Sequence, residues 1–74
     1  MSEGRLQRRF GAVVRHQREA AGLSQEALAD AAGLHRTYVS LLERGQRNPS
    51  LEVISALAAG LDTTMAALVG ALEK

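Results

Sequence analysis

Four breaks interrupt the sequence, and every segment between them has the spacing of an α-helix. The breaks lie at Gly22, at Gly33, from Gly45 to Pro49 and from Gly60 to Thr64. Glycine and proline in such settings end helices, so the breaks divide the chain into five helical segments. No segment alternates between apolar and polar residues as a half-buried strand does. The sequence therefore predicts an all-α fold built from five short helices.

Short helices are marginal on their own, so these five must stabilise one another by packing. The chain has 74 residues, 46% of them apolar, which allows one small core and predicts a single domain spanning residues 1–74. The absence of cysteine excludes disulfides and thiolate metal sites. Because no apolar run approaches the roughly 20 residues of a membrane span, and no signal core is present, we expect a cytoplasmic protein that contacts no membrane.

Apolar residues at helical spacing predict which side chains form the core. The first helix is expected from about Arg5 to Ala21. The residues of the first four helices predicted to face inward are Leu6, Phe10, Val13, Leu28, Ala32, Leu34, Val39, Leu42, Leu51, Ile54, Leu57 and Leu61. The candidate N-caps of the second, fourth and fifth helices are Ser24, Ser50, and Thr63 or Thr64.

The fifth helix, expected from Met65 to about Glu73, has more apolar side chains than one buried face requires. We predict that Met65, Leu68, Val69 and Leu72 form the interface between two copies of the chain. The alternative is that these four residues only cover the small core.

Several motifs stand in a fixed order along the middle of the chain. They are LSQEALA at residues 23–29, TYVSLLERG at residues 37–45 and NPSL at residues 48–51, with Gly33 between the first two. Together they resemble the Cro/C1-type (XRE) helix-turn-helix family, and the resemblance covers nearly the whole chain. The residues from His35 to Tyr38, with ERG at 43–45 and Arg47-Asn48, are especially similar to the small controller proteins of restriction-modification systems.

The resemblance implies a compact five-helix, lambda-repressor-like DNA-binding domain with the helix-turn-helix in helices 2 and 3, at about residues 24–45. It also implies a homodimer that reads a two-fold symmetric operator on double-stranded DNA. A helix fits the major groove, and its N-terminal side chains reach the base edges, which agrees with DNA binding through the third helix. The predicted function is that of a sequence-specific transcriptional regulator without catalytic activity.

The outward positions near the start of the third helix are predicted to read bases. Arg36 is the leading candidate, because its guanidinium can donate two hydrogen bonds to guanine. Thr37 can hydrogen-bond a base or touch a thymine methyl, and Ser40 shares the face of Arg36 one turn later. The alternatives are phosphate binding or an exposed surface role for Arg36, and a capping or neutral role for the two hydroxyl residues.

Phosphate-binding residues are expected on either side of the base-reading positions. The resemblance assigns Gln25, at the positive end of the second helix, to a phosphate. The other candidates are Tyr38, Arg44, Arg47 and Asn48. Packing is the alternative for the tyrosine, and turn formation is the alternative for the asparagine.

The distribution of charge supports a polyanionic partner on one side of the molecule. Residues 1–47 carry eight arginines and five acids, whereas residues 48–74 carry one lysine and three acids. Glu43 lies among the basic residues and would repel phosphate if it faced outward. In the family an arginine late in the first helix pairs with this acid, and Arg18 occupies that position. We therefore predict a structural ion pair between Arg18 and Glu43.

Other chemistries find little support in the sequence. The only histidines, His16 and His35, do not form a ligand motif, and the scattered glycines do not form a phosphate-binding loop. No cofactor or small-molecule ligand is evident. The competing interpretation is a protein-interaction module of the same fold, such as an antitoxin or adaptor, or a fragment of a larger regulator.

Overall fold

The computed structural model describes residues 3–73, and this part of the chain contains five α-helices and no strand. The helices are α1 (Glu3–Ala20), α2 (Gln25–Ala32), α3 (Arg36–Glu43), α4 (Leu51–Gly60) and α5 (Met65–Gly70), followed by a 3₁₀ turn at Ala71–Glu73. The predicted all-α, five-helix fold is confirmed. The last helix differs in detail, because its final turn is 3₁₀ rather than α-helical.

Side-chain caps begin three of the helices. Ser24, Ser50 and Thr64 each accept a hydrogen bond from the backbone N–H three residues later, at 3.0, 3.1 and 3.0 Å. Thr64 rather than Thr63 is thus the cap of α5. His35 occupies the N-cap position of α3 without a side-chain hydrogen bond to the helix.

The core contains side chains from all five helices. Its buried apolar residues are Phe10, Val14, Leu28, Ala29, Val39, Leu42, Leu57, Ala58, Leu61 and Leu68. Two residues predicted to be inside are exposed instead, Leu6 by 55% and Leu51 by 74%. Both lie in the first turn of their helices, where little of the chain covers them. Val14 is fully buried, whereas Val13 is only partly buried beside the core.

The backbones of α1 and α3 approach closely at a glycine within α1. A Cβ built on Gly11 would lie 2.6 Å from the carbonyl oxygen of Glu43 and 2.9 Å from its carbonyl carbon. The obstacle is backbone rather than a mobile side chain, so only glycine fits here without displacing a helix. The close approach brings the end of α3 against α1, where both partners of the predicted ion pair can meet.

Substitution of Gly11 by alanine should lower the free energy of unfolding by about 1–3 kcal/mol, because the added methyl overpacks the helix crossing. This loss is the net change, after the gain of about 1 kcal/mol that alanine brings to a helix interior. Gly70→Ala is the matched control, because a Cβ at Gly70 meets nothing within 4 Å. Denaturant titrations at one protein concentration compare the two variants, and equal stability would contradict the crossing argument.

No single described helix has both the length and the apolar character needed to cross a membrane. Helix α4 and the segment Met65–Glu73 together have the length and composition of a membrane span. The chain bends by 105° between them.

Candidate nucleic-acid interface

The rotation of α3 is fixed by two fully buried residues, Val39 and Leu42. On the outer side, Arg36 and Thr37 are exposed in the first turn, and Ser40 follows half-buried one turn later. No hydrogen bond or ion pair among the described side chains, those of residues 4–73, engages the guanidinium of Arg36. The predicted base-reading residues therefore lie along one side of α3, and the longest of them extends freely from the start of the helix.

The loop that follows α3 carries exposed polar and cationic groups. Arg44 donates from Nε to the carbonyl of Ser40 at 3.4 Å, and Arg47 donates to the carbonyl of the preceding residue at 2.9 Å. Asn48 is exposed, whereas Tyr38 is half-buried and packs against the core. Arg44, Arg47 and Asn48 thus extend the exposed surface beyond the end of α3, whereas Tyr38 is partly covered by the core.

The acid at the end of α3 points inward and is paired. The side chain of Glu43 is 3% exposed, and its carboxylate accepts hydrogen bonds from Arg18 Nε at 2.7 Å and from Arg18 Nη2 at 3.1 Å. Arg18 also donates to the carbonyl of Leu23 at 2.8 Å. This bidentate geometry is the strong form of an arginine–carboxylate ion pair. It joins α1, the α1–α2 turn and α3, and it removes the negative charge of Glu43 from the outer surface.

Gln25 belongs to the same network. Its Nε2 donates to Glu43 Oε1 at 3.0 Å, which holds the first residue of α2 beside the end of α3. An amide nitrogen has a second hydrogen, so this contact leaves Gln25 with a donor for another acceptor.

The hydrogen bond to Glu43 raises the pKa of Arg18 above its ordinary value, although burial acts in the opposite direction. A base whose pKa is higher in the folded state stabilises the fold fully below its unfolded pKa, and this contribution is lost only as the pH rises through the folded pKa. For an arginine that range lies far above neutrality. The Arg18 side of the ion pair is therefore insensitive to pH under ordinary conditions.

An apolar groove opens on the side of the molecule where α1, α4 and α5 meet. It has a volume of about 360 Å³ and is lined by Leu6, Gln7, Phe10, Asn48, Pro49, Leu51, Ile54, Val69 and Leu72. We refer to it as the α1–α5 groove. Its rim contains the most exposed large apolar side chains of the described residues, Leu51, Leu6 and Val69.

The burial of the side chains corrects one residue of the predicted dimer interface. Leu68 has no exposed surface, because it faces the core from the middle of α5, and the prediction that it contacts a second copy is wrong. Val69 is 41% exposed, and Met65 and Leu72 are partly buried against the core. Of the four predicted residues, Val69 and Leu72 line the groove.

Residues 14–68 match the helix-turn-helix family HTH_3. The chain belongs to this family. The motifs between Leu23 and Leu51 lie within the matched region, and the predicted Cro/C1-type resemblance is confirmed.

Several relatives of this helix-turn-helix chain are controller proteins. Control protein C.SmaI of Serratia marcescens is 45% identical over 56 residues, which cover 76% of this chain and 67% of that protein. Control protein C.MunI of Mycoplasma sp. is 42% identical over 67 residues, which cover 89% and 90%. The crystal structure of the restriction-modification controller protein C.AhdI from Aeromonas hydrophila aligns with a TM-score of 0.81 and 51% identity, covering 82% and 92%. These matches confirm the predicted class, a helix-turn-helix transcriptional regulator.

Two features of this helix-turn-helix site were not predicted from the sequence. The first is Gly11, whose position inside a helix signals a close approach but does not identify the partner. The second is the contact of Gln25 with Glu43, which requires the relative placement of α2 and α3. Within residues 3–73, no three His, Cys, Asp or Glu side chains lie together as a metal site requires.

Proposed function

We propose that this helix-turn-helix chain is a cytoplasmic regulator of transcription that binds double-stranded DNA sequence-specifically, as a homodimer, and acts by binding rather than catalysis. The observation that carries the proposal is the outer side of α3. It offers exposed Arg36 and Thr37 at its start and exposed arginines at its end, while the acid Glu43 is turned inward. Similarity to restriction-modification controller proteins supports control of the genes of such a system.

In the proposed complex α3 lies in the major groove. Arg36 donates to guanine, while Thr37 and Ser40 contact neighbouring base edges. A side chain without an intramolecular partner suits the first role, because no existing bond must break when Arg36 meets a base.

The proposed phosphate contacts lie at both ends of this surface. Gln25 binds a phosphate at the start of α2, where the helix dipole favours an anion. Arg44, Arg47 and Asn48 bind phosphates beyond the end of α3, and Tyr38 adds its hydroxyl. These contacts fix the position of α3 and carry little sequence information.

A second copy of the chain is proposed to cover the α1–α5 groove, with Val69, Leu72 and the edge of Met65 in the interface. Leu6 and Leu51 extend this surface beyond the residues predicted from the sequence. Two tied recognition helices double the base contacts and read half-sites one helical turn apart, about 34 Å. A two-fold axis through the groove therefore accounts for both the exposed apolar residues and a symmetric operator.

Selection of bound duplexes from random DNA tests the proposal directly. We expect a two-fold symmetric motif, and an affinity that falls steeply with salt because bound phosphates release counterions. The absence of a motif together with salt-independent binding would overturn it. In that case a protein-interaction role would become the better interpretation.

Arg36→Ala should relax the preference at one base pair of each half-site, with a loss of discrimination of about 1–3 kcal/mol. Folding should be unaffected, because the side chain is exposed and unpaired. Arg47→Ala is the control, since loss of a phosphate contact weakens binding to all duplexes alike. Competition binding with single-base operator variants measures the difference. A uniform loss of affinity in Arg36→Ala would refute its base-reading role.

A further inference from the structure

Helix α1 places one more arginine beside the proposed DNA-binding surface. Gly45, which leads from α3 into the following loop, packs against the backbone of Arg8, and a Cβ on Gly45 would lie 2.7 Å from Arg8 Cα. Gly45 also has a φ of 76°, in the left-handed region. Both facts favour glycine at this point, and the junction fixes the start of the Arg8 side chain at the end of α3.

Arg8 is exposed, and no hydrogen bond or ion pair among the side chains described, those of residues 4–73, engages its guanidinium. Two other arginines of α1 are occupied. Arg9 donates to the carbonyl of Leu72, and Arg15 pairs with Glu19 at 3.3 Å. Of these three arginines, Arg8 alone combines an unpaired charge with a position against the end of α3.

Within residues 4–73, no ion pair neutralises the arginines around Gly45. The acid two residues before it, Glu43, is already bonded to Arg18 and lies inside the fold. Arg44 and Arg47 flank Gly45 in sequence, and Arg8 approaches it from α1. Arginines from two separate elements are therefore attached to the chain close to one junction. Phosphates recur at short intervals along a DNA strand, so such a cluster is suited to successive phosphates of one backbone.

We propose that Arg8 is a further phosphate-binding residue, through which α1 contacts the DNA backbone next to the phosphates bound by Arg44 and Arg47. This inference rests on the proposed function. Helix α1 also packs on α3 at Gly11. A DNA contact made by α1 would therefore help to fix the tilt of α3 in the major groove, in addition to the contacts made by the loop after α3.

The test compares Arg8→Gln with Arg15→Gln, two exposed arginines of the same helix that lose the same charge. Binding is measured with the selected operator and with an unrelated duplex at several salt concentrations. Arg8→Gln should weaken binding to both duplexes by about 3- to 10-fold and reduce the salt slope by about 0.9 for each bound protomer. Arg15→Gln should stay close to wild type, and Arg8→Lys should restore most of the affinity.

Equal affinities and salt slopes for Arg8→Gln and Arg15→Gln would overturn the inference, because general charge would then account for any loss. A loss that follows a fall in thermal stability and that Arg8→Lys does not restore would also overturn it. Both outcomes leave the proposed function intact as long as the wild-type protein binds its operator. Failure of the wild type to bind any duplex specifically would instead remove the proposed function.

Discussion

Glu43→Ala should lower the free energy of unfolding by about 3–5 kcal/mol, because it leaves Arg18 buried without its counter-charge. Arg18 would keep a single acceptor, the carbonyl of Leu23, and Gln25 would lose the acceptor of its amide. Since small domains are stable by only about 5–15 kcal/mol, this is a large share of the total. Thermal and denaturant unfolding at fixed protein concentration measure the loss.

The chain has its own control in a second arginine–glutamate pair. Arg15 and Glu19 lie 3.3 Å apart, but their side chains are 64% and 57% exposed. Glu19→Ala should therefore cost less than about 1 kcal/mol, because water screens exposed pairs. If Glu43→Ala is no more damaging than Glu19→Ala, the buried pair does not hold the helices together. The double variant Arg18→Met with Glu43→Leu should recover much of the loss, since apolar replacements of buried pairs are often neutral or better.

The ion pair between Arg18 and Glu43 could not be predicted from the spacing of residues alone. Its two members are 25 residues apart, and only the resemblance to a family placed them together. Once α1 and α3 pack, Phe10, Val14 and Arg18 occupy successive turns of one buried stripe on α1. An arginine in such a stripe looks like a surface residue in a hydropathy pattern, because the pattern carries no information about a partner on another helix.

The helices were easier to predict than the surfaces between them. Glycine breaks, caps and apolar spacing are local, so the five elements and the outward side of α3 follow from the sequence. Burial of Leu68 in the middle of α5 and exposure of Leu51 at the start of α4 depend on which helices lie over these positions. That arrangement is set by long-range packing, and the same apolar spacing allows either outcome.

Polar substitutions on the exposed rim of the α1–α5 groove should have a large effect on the proposed dimer. Leu51→Gln combined with Val69→Gln should convert the proposed dimer into monomers while leaving the fold of each chain intact. Leu51 is 74% exposed and Val69 41% exposed, so neither change removes a fully buried contact within one chain. Operator affinity should fall about a hundredfold or more, because two half-sites would no longer be bound by linked subunits.

The α1–α5 groove lies next to the proposed DNA-binding surface. Asn48 and Pro49 form part of its lining, and they belong to the loop that carries Arg47. A partner seated in the groove would therefore lie close to the loop that holds the proposed phosphate-binding residues. Sedimentation measures the oligomeric state, and operator titration measures the affinity for DNA. Ala59→Gln is the control, because Ala59 is exposed on α4 and lies outside the groove lining. A double variant that remains dimeric and binds its operator like wild type would place the dimer interface elsewhere on the molecule.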